Sequence, residues 1–212
     1  MRLLSVCFAC GSFLPLKHGL CSFCISCVIR PSFQNIPFPH FSLVRWKNQK
    51  HAWMSTWARQ LKGNQSRAWS LLAQQTAEAM IQHRILQKIP SGATLVVVDP
   101  SSKPDHSYWY AHHLARLLHA EHLAFSFVKN SEQELKNLGG QERLLCLNHY
   151  RLQKTDLIKY HLNQPHVFWL FIDDIMTTGA TAKSVFQLLN HPQSFLALSW
   201  MSRDKGLSTI SI

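Results

Sequence analysis

Two nearly unbroken apolar runs, each closed by an acid, constrain the fold of this chain more than any other feature. They are ATLVVVDP, residues Ala93–Pro100, and HVFWLFIDD, residues His166–Asp174. A strand with one face in water alternates apolar and polar residues, whereas a continuous apolar run is typical of a strand buried on both faces. Such strands belong to parallel sheets that helices cover on both sides. The chain is therefore predicted to contain an α/β domain.

The segments around these runs support a mostly parallel sheet flanked by helices, because helical and strand patterns alternate along the chain. Strands are predicted at 41–46, 122–128 and 194–202, and helices within 51–88 and at 107–120 and 180–190. Ligands of open α/β sheets bind at the carboxyl ends of the strands. Asp99, Asp173 and Asp174 are therefore expected at the ligand-binding edge.

The charge balance favours an anionic partner. The 212 residues include 22 Lys and Arg against 11 Asp and Glu, so the net charge is 22 − 11 = +11. An excess of this size favours nucleic acid, a membrane surface or a phosphorylated substrate. Because no apolar run approaches the length of a bilayer-spanning helix, the protein is expected to be cytoplasmic.

Five of the six cysteines lie near the amino terminus, and four of them form two C-x-x-C pairs. Cys7 and Cys10 make the first pair, and Cys21 and Cys24 the second. Four thiolates presented by two tight turns suit a tetrahedral structural zinc ion without an open position. Cys27 overlaps the second pair and is an alternative ligand. Disulfides and buried thiols are the other interpretations, but disulfides need an oxidising compartment.

The cysteine distribution also predicts two units. Residues 1–35 are expected to form a small zinc-ribbon-like unit, which is too short to build its own core without a metal. Segment 30–40 carries three prolines and is interpreted as a linker. The α/β domain is expected over 40–212.

The stretch DDIMTTGAT places two acids, three threonines and a glycine where a strand turns into a helix. Such a turn exposes backbone N–H groups and the positive end of the helix dipole, which suits phosphate. Carboxylates accept hydrogen bonds from a sugar diol and can also hold Mg²⁺. A plain strand-end turn with a helix cap explains only one acid and one threonine. The predicted sugar-phosphate site comprises Asp173, Asp174, Thr177, Thr178, Gly179, Ala180 and Thr181.

The longer stretch FWLFIDDIMTTGAT, residues 168–181, resembles the signature of type I phosphoribosyltransferases. The resemblance implies a type I phosphoribosyltransferase-like fold in which Asp173 and Asp174 engage the ribose hydroxyls of phosphoribosyl pyrophosphate (PRPP). It also implies that the loop from Thr177 to Thr181 binds the 5′-phosphate, and that Mg²⁺ accompanies PRPP.

Together with the double C-x-x-C, this signature resembles the ComF/GntX family. Three looser similarities are LKG at Leu61–Gly63, VVVDP at Val96–Pro100 and LGGQER at Leu138–Arg143. The resemblance implies a PRPP-binding protein connected with natural competence, DNA uptake or DNA utilisation. Other competence or DNA-processing proteins are then possible partners.

The segment that corresponds to the pyrophosphate loop of that family departs from the family pattern. Its candidate residues are Asp99, Pro100 and Lys103, and the following SSKPDHSYWYAHH contains one Lys and no Arg, Gly, Asn or Gln. Pyrophosphate needs charge stabilisation as it leaves, so PRPP binding is predicted more firmly than transfer. Transfer to an acceptor that the sequence does not identify is the enzymatic hypothesis, with no catalytic residue assigned. The alternatives are a competence factor that binds single-stranded DNA and a PRPP-sensing regulator.

Overall fold

A computed structural model of the chain describes residues 16–17, 20–21, 32–35, 37–47, 67–82, 86, 89–129 and 150–204. These residues form an α/β structure in which five parallel strands make up a sheet with helices on both faces. The predicted class, an α/β protein with a mostly parallel sheet flanked by helices, is confirmed.

The strands and helices of the described part are numbered along the chain. The strands are β1 (Leu16–Lys17), β2 (Leu20–Cys21), β3 (Ser32–Asn35), β4 (Pro39–Lys47), β5 (Thr94–Val98), β6 (Glu121–His122), β7 (Phe127–Lys129), β8 (Tyr150–Leu152), β9 (Val167–Met176) and β10 (Phe195–Asp204). The helices are α1 (Arg67–Gln82), α2 (His106–Leu118), α3 (Thr155–Leu162) and α4 (Ala180–Leu188).

The main sheet has the strand order β3-β4-β10-β9-β5-β6. The five strands β4, β10, β9, β5 and β6 are neighbours in this order and run parallel. At one edge, β3 pairs antiparallel with β4. The two apolar runs that suggested the fold are therefore adjacent strands, since β9 pairs with β5 from Thr94↔Val167 to Val98↔Phe171. Parallel pairing brings the ends of these strands, and the acids that follow, to the same edge of the sheet.

Two hydrophobic cores lie on opposite faces of the sheet because alternate residues of a strand point to opposite sides. On one face, Leu170 and Ile172 of β9 pack with apolar residues of α1 and α2. On the other, Trp169 and Phe171 pack with residues of α3, α4 and the β7–β8 ribbon. Continuous apolar sequence in β9 is explained by this double burial.

The predicted strand over 122–128 is wrong in its continuity. The chain turns at Ala124 and Phe125, and Phe125 adopts a positive φ of 57°. The turn separates β6, which joins the main sheet, from β7, which pairs with β8 in a separate ribbon. The hydroxyl of Ser126 donates to the carbonyl of Leu123 at 2.8 Å and helps to close this turn.

The segment interpreted as a proline-rich linker contributes an edge hairpin instead. Residues 32–35 pair with β4 in a register from Ser32↔Ser42 to Asn35↔Pro39. A proline is accommodated there because it begins the strand. The division into units at 1–35 and 40–212 stays a prediction, although Ser32–Asn35 belongs to the main sheet.

Some predictions fall outside the described residues. Cys7, Cys10, Cys24 and Cys27 are among them, and of Cys21 only the backbone is described, in β2. The segments Leu61–Gly63 and Leu138–Arg143 also lie outside the described residues. In the part of the chain that is described, no helix has the length and apolarity needed to cross a membrane.

Candidate functional site

The end of β9 places two acids side by side at the carboxyl edge of the sheet. Asp173 and Asp174 are half-buried, and they follow the fully buried Phe171 and Ile172. Strand alternation directs Asp173 towards the face that carries α4, and Asp174 towards the face that carries α2. The pair therefore straddles the sheet edge between the first turns of two helices.

A hydrogen bond fixes Asp174 to the start of α2. Its backbone N–H donates to the Ser107 hydroxyl oxygen at 3.0 Å and also lies 2.9 Å from Oδ1 of Asp173. Oδ1 of Asp174 in turn accepts from the N–H of Ile175 at 2.6 Å. Ser107 is buried in the first turn of α2, so this contact ties helix and strand together.

Asp173 lies on the same face of the sheet as Tyr150 of β8 and Thr181 of α4. The hydroxyl of Tyr150, a buried residue of β8, shares a hydrogen bond with the side chain of Thr181. Burial raises the pKa of the Tyr150 phenol, and the charge of Asp173 raises that pKa further. Tyr150 therefore stays protonated beside the acid and can donate a hydrogen bond.

The loop after β9 begins α4 without a carboxylate cap. Gly179 occupies the N-cap position in the left-handed region, with φ 73° and ψ 6°, and it makes no side-chain cap hydrogen bond. The N–H of Ala180 donates to Oγ1 of Thr178 at 3.3 Å, which is a long contact. Thr177 is exposed, and Thr178 and Thr181 are half-buried. First-turn N–H groups and neighbouring hydroxyls are the kinds of donor that bind anions at helix starts in other proteins.

The loop after β5 begins α2 with the opposite arrangement. Asp105 is the N-cap residue, and its Oδ1 accepts from the N–H of Tyr108 at 3.1 Å and from the Ser101 hydroxyl at 2.6 Å. Asp99 is fully buried, accepts from the N–H of Ser101 at 2.9 Å and lies 2.7 Å from Nε2 of His122. Carboxylates of the protein itself, Asp99 and Asp105, thus accept hydrogen bonds from donors of this loop and of the first turn of α2.

The other predicted residues of this loop contribute little positive charge. Lys103 is exposed and Pro100 is half-buried. Burial lowers the pKa of His106, in the first turn of α2, to about 4, and the nearby Asp174 carboxylate opposes that shift only in part. His106 is consequently neutral at pH 7 and does not balance the acids.

Two neighbouring carboxylates act on Asp105 at this edge. Burial raises the pKa of Asp105, its bonds from Ser101 and Tyr108 oppose that shift, and the charges of Asp174 and Asp99 raise the pKa further. Asp173, Asp174 and Asp105 all act on Tyr150 as well. The structure thus brings the acids near the carboxyl end of β9 together with those of the loop after β5.

The carboxylate oxygens at the edge can supply some, but not all, of the ligands of a hard cation such as Mg²⁺. Within the described residues, no group of three or more His, Cys, Asp or Glu side chains is arranged to hold a metal ion. Asp173 and Asp174 offer carboxylate oxygens of the kind that Mg²⁺ accepts, and Mg²⁺ commonly takes its remaining ligands from phosphates and water. The residues therefore fit a cation that arrives with a phosphorylated ligand.

Sequence reasoning missed three residues of this site: Asp105, Ser107 and Tyr150. Asp105 has a recognisable signal, because an aspartate just before a helix is a common N-cap. Ser107 was only the expected first residue of a helix, and Tyr150 lay in a segment without a clear pattern. No local signal marks either one, since Ser107 meets Asp174 across 67 residues of chain.

These features define an α/β protein with a polar site at the carboxyl ends of β5 and β9. No protein-family model matches the sequence, and no curated protein matches it either. What the site binds therefore follows from the chemistry of its own residues.

Proposed function

We propose that this edge binds the phosphoribosyl group of PRPP or of a related sugar phosphate, in a type I phosphoribosyltransferase-like fold of the ComF type. The observation that carries the proposal is the pairing of two adjacent carboxylates with a helix start that lacks a carboxylate cap. Asp173 and Asp174 supply acceptors, and the loop from Thr177 to Thr181 supplies donors. A ribose 5-phosphate presents the complementary groups, with a diol on one edge and a dianion at C5.

The two halves of the site have separate tasks in this proposal. The C2 and C3 hydroxyls donate to Asp173 and Asp174, and the 5′-phosphate accepts from N–H groups and hydroxyls at the start of α4. Tyr150 supports the phosphate half because its hydroxyl is bonded to Thr181. Mg²⁺ would be held between the acids and the phosphate oxygens of the ligand, and would reduce their mutual repulsion.

Calorimetric titration with ribose 5-phosphate and PRPP, in Mg²⁺ and in EDTA, tests this binding. Asp173→Asn/Asp174→Asn removes both charges with little change in shape, and we expect affinity to fall by about 100-fold or more, as two charge-assisted bonds are lost. Glu78→Gln/Asp156→Asn removes two charges elsewhere and serves as the matched control. Equal affinity of both double variants and wild type would contradict the proposal.

The enzymatic form of the proposal is Mg²⁺-dependent transfer of the phosphoribosyl group from PRPP to an acceptor. The bond between C1 and the pyrophosphate oxygen breaks, a bond from C1 to the acceptor forms, and pyrophosphate leaves. The acceptor supplies the nucleophile, so no side chain of this protein is assigned as catalytic. Release of pyrophosphate in the presence of candidate bases and amines measures the activity. Binding without release would favour a PRPP-sensing role.

A second proposal is contact with single-stranded DNA in competence, away from the sugar-phosphate site. The net charge is +11, yet four of the 11 acids meet at one sheet edge. Within the described residues, Arg116, Arg151 and Lys154 are exposed and are proposed to contact the phosphates of the DNA strand. Phosphate contacts predict an affinity that falls steeply with salt. An affinity that is constant between 50 and 200 mM salt would speak against such contacts.

The amino-terminal cysteines complete the proposal for a cytoplasmic protein. Cys7, Cys10, Cys21 and Cys24 are proposed to bind one structural zinc ion. Zinc content measured on the purified protein should be one ion per chain, and Cys7→Ser/Cys10→Ser should lose it. Retention of zinc by Cys24→Ser alone would identify Cys27 as the substitute ligand.

A further inference from the structure

The two helix starts at the site lie on opposite sides of the acid pair. α4 packs on the sheet face to which Asp173 points, and α2 packs on the face to which Asp174 points. In a ribose ring, C1 and C4 flank the diol carbons, and C5 is attached to C4. A ribose whose diol rests on the two acids therefore directs its 5′-phosphate to one side and its C1 substituent to the other. With the phosphate at α4, the C1 substituent faces the start of α2.

The start of α2 is unsuited to an anion. One first-turn N–H, that of Tyr108, is bonded to Asp105, and the loop N–H of Ser101 is bonded to Asp99. In the described residues, Lys103 is the one Lys or Arg of the loop 99–105, and its side chain is exposed. An anionic group at C1 would thus approach two additional carboxylates, those of Asp99 and Asp105.

We propose that the natural ligand of this site carries a single phosphate: it is a 5-phosphorylated ribose with an uncharged substituent at C1, as in a nucleoside 5′-monophosphate, and the loop 99–105 discriminates against a pyrophosphate there. The inference rests on the proposed phosphoribosyl binding and narrows its ligand class. Repulsion between the C1 pyrophosphate and the carboxylates of Asp99, Asp105 and Asp174 provides the discrimination, and an uncharged base avoids it.

Mg²⁺ is the main factor that works against this discrimination. The ion neutralises pyrophosphate, so the preference should be greatest in EDTA and smaller when Mg²⁺ is present. It should nevertheless persist, because the carboxylates of Asp99 and Asp105 stay in the loop when the ion is bound and add negative charge that an uncharged C1 substituent does not meet. Both conditions are therefore part of the test.

The experiment compares ribose 5-phosphate, PRPP and the four common ribonucleoside 5′-monophosphates by calorimetric titration of the full chain. We expect the tightest monophosphate to bind about tenfold or more tightly than PRPP in EDTA, and still more tightly than PRPP in Mg²⁺. Tighter binding of PRPP than of every monophosphate, in either condition, would overturn the inference while leaving phosphoribosyl binding intact. Failure of all six compounds to bind would instead overturn the proposed function.

Asp105→Asn identifies the discriminating loop. Asparagine preserves the N-cap of α2 and removes one negative charge, so the variant should fold. The ratio of PRPP to monophosphate affinity should rise about threefold or more in EDTA. Asp156→Asn, an exposed aspartate in the first turn of α3, is the matched control and should leave the ratio unchanged. An unchanged ratio in Asp105→Asn would show that the loop does not discriminate.

Discussion

The loops that follow β9 and β5 have the same topology and opposite chemistry. Each connects a buried parallel strand to a helix at the same edge of the sheet. Gly179 begins α4 with backbone geometry alone, while Asp105 begins α2 with a carboxylate that accepts from the helix. One helix start therefore lacks a side-chain cap, and the other has a first-turn N–H bonded to a carboxylate of the protein.

The difference shows that topology alone does not decide what a strand-end loop binds. Parallel α/β sheets bring several loops to one edge, and the side chains then set the sign of the local charge. Here a cluster of acids lies between a helix start without a side-chain cap and a helix start capped by a carboxylate. The following predictions test whether the two loops differ as described, from the largest expected effect to the smallest.

The largest effect should come from the core that supports both loops. Phe171 is fully buried below the acid pair and lies beside Val98, the last residue of β5. Phe171→Ala should lower the free energy of unfolding by about 3–5 kcal/mol, because it leaves a cavity between the sheet and the residues of α3 and α4 that pack on this face. Phe168→Ala, at a half-buried position of the same strand, should cost clearly less. Equal losses in urea denaturation would contradict a shared core.

Low pH should destabilise the protein because it protonates His106, a buried residue in the first turn of α2. Burial lowers the pKa of His106 to about 4 from its ordinary value of 6.5. The folded protein favours neutral His106. The protein therefore has its full stability above pH 6.5, and its free energy of unfolding decreases as pH falls from 6.5 towards 4. The loss should be on the order of 3 kcal/mol.

Comparison of His106→Leu with wild type isolates this contribution. Burial also lowers the pKa of His40 to about 4, but His40 is present in both proteins and its effect cancels. The difference in unfolding free energy between pH 7 and pH 4.5 should be smaller in His106→Leu. His191→Asn, at an exposed position, should keep the full wild-type pH dependence. The same dependence in all three proteins would remove His106 from the explanation.

Backbone geometry should matter on the α4 side. Gly179→Val places a β-branched residue at φ 73°, where an added Cβ meets only Met176 Sδ at 3.9 Å. The expected cost of about 1–3 kcal/mol is therefore conformational strain and not a clash. Gly92→Val, at φ 80° with open space around it, should be destabilised similarly. Binding of ribose 5-phosphate should decrease only in Gly179→Val, and equal binding by both variants would contradict an α4 cradle.

The smallest effects should distinguish the two caps. Asp105→Ala removes the acceptor of the Tyr108 N–H and should cost about 1 kcal/mol. Thr178→Ala removes only the 3.3 Å contact to Ala180 and should cost a few tenths of a kcal/mol. A larger loss in Thr178→Ala, measured by urea denaturation, would reverse the assignment of the capped and uncapped helix.

The pH dependence of the Asp105 cap has a definite sign. Burial raises the pKa of Asp105 above 3.8, so the folded protein binds a proton more tightly than the unfolded chain. Wild type should therefore lose stability relative to Asp105→Asn as pH rises from 3.8 through the raised pKa. A constant difference across that range would show that the acid is not penalised in the folded state.

Much of the sheet could be predicted from the sequence because burial on both faces leaves a local pattern. The run Ala93–Pro100 contains β5 and the run His166–Asp174 overlaps β9, while β4, α2, α4 and β10 agree with their predicted segments to within a few residues. The predicted strand at 122–128 failed because its apolar residues serve two different sheets across a turn. The predicted linker failed because prolines also occur at the start of edge strands.

The sequence by itself determined the parallel strands, the acid pair that ends β9 and the glycine that begins α4, because each is a property of neighbouring residues. Only the tertiary structure decided that the charge of Asp174 acts on Asp105, that Ser107 bonds Asp174 across 67 residues and that Tyr150 reaches Thr181. These contacts depend on which strands pair and on which face each helix packs. Propensity and periodicity are local, whereas the electrostatics of a strand-end site depend on every loop that the fold brings to the same edge.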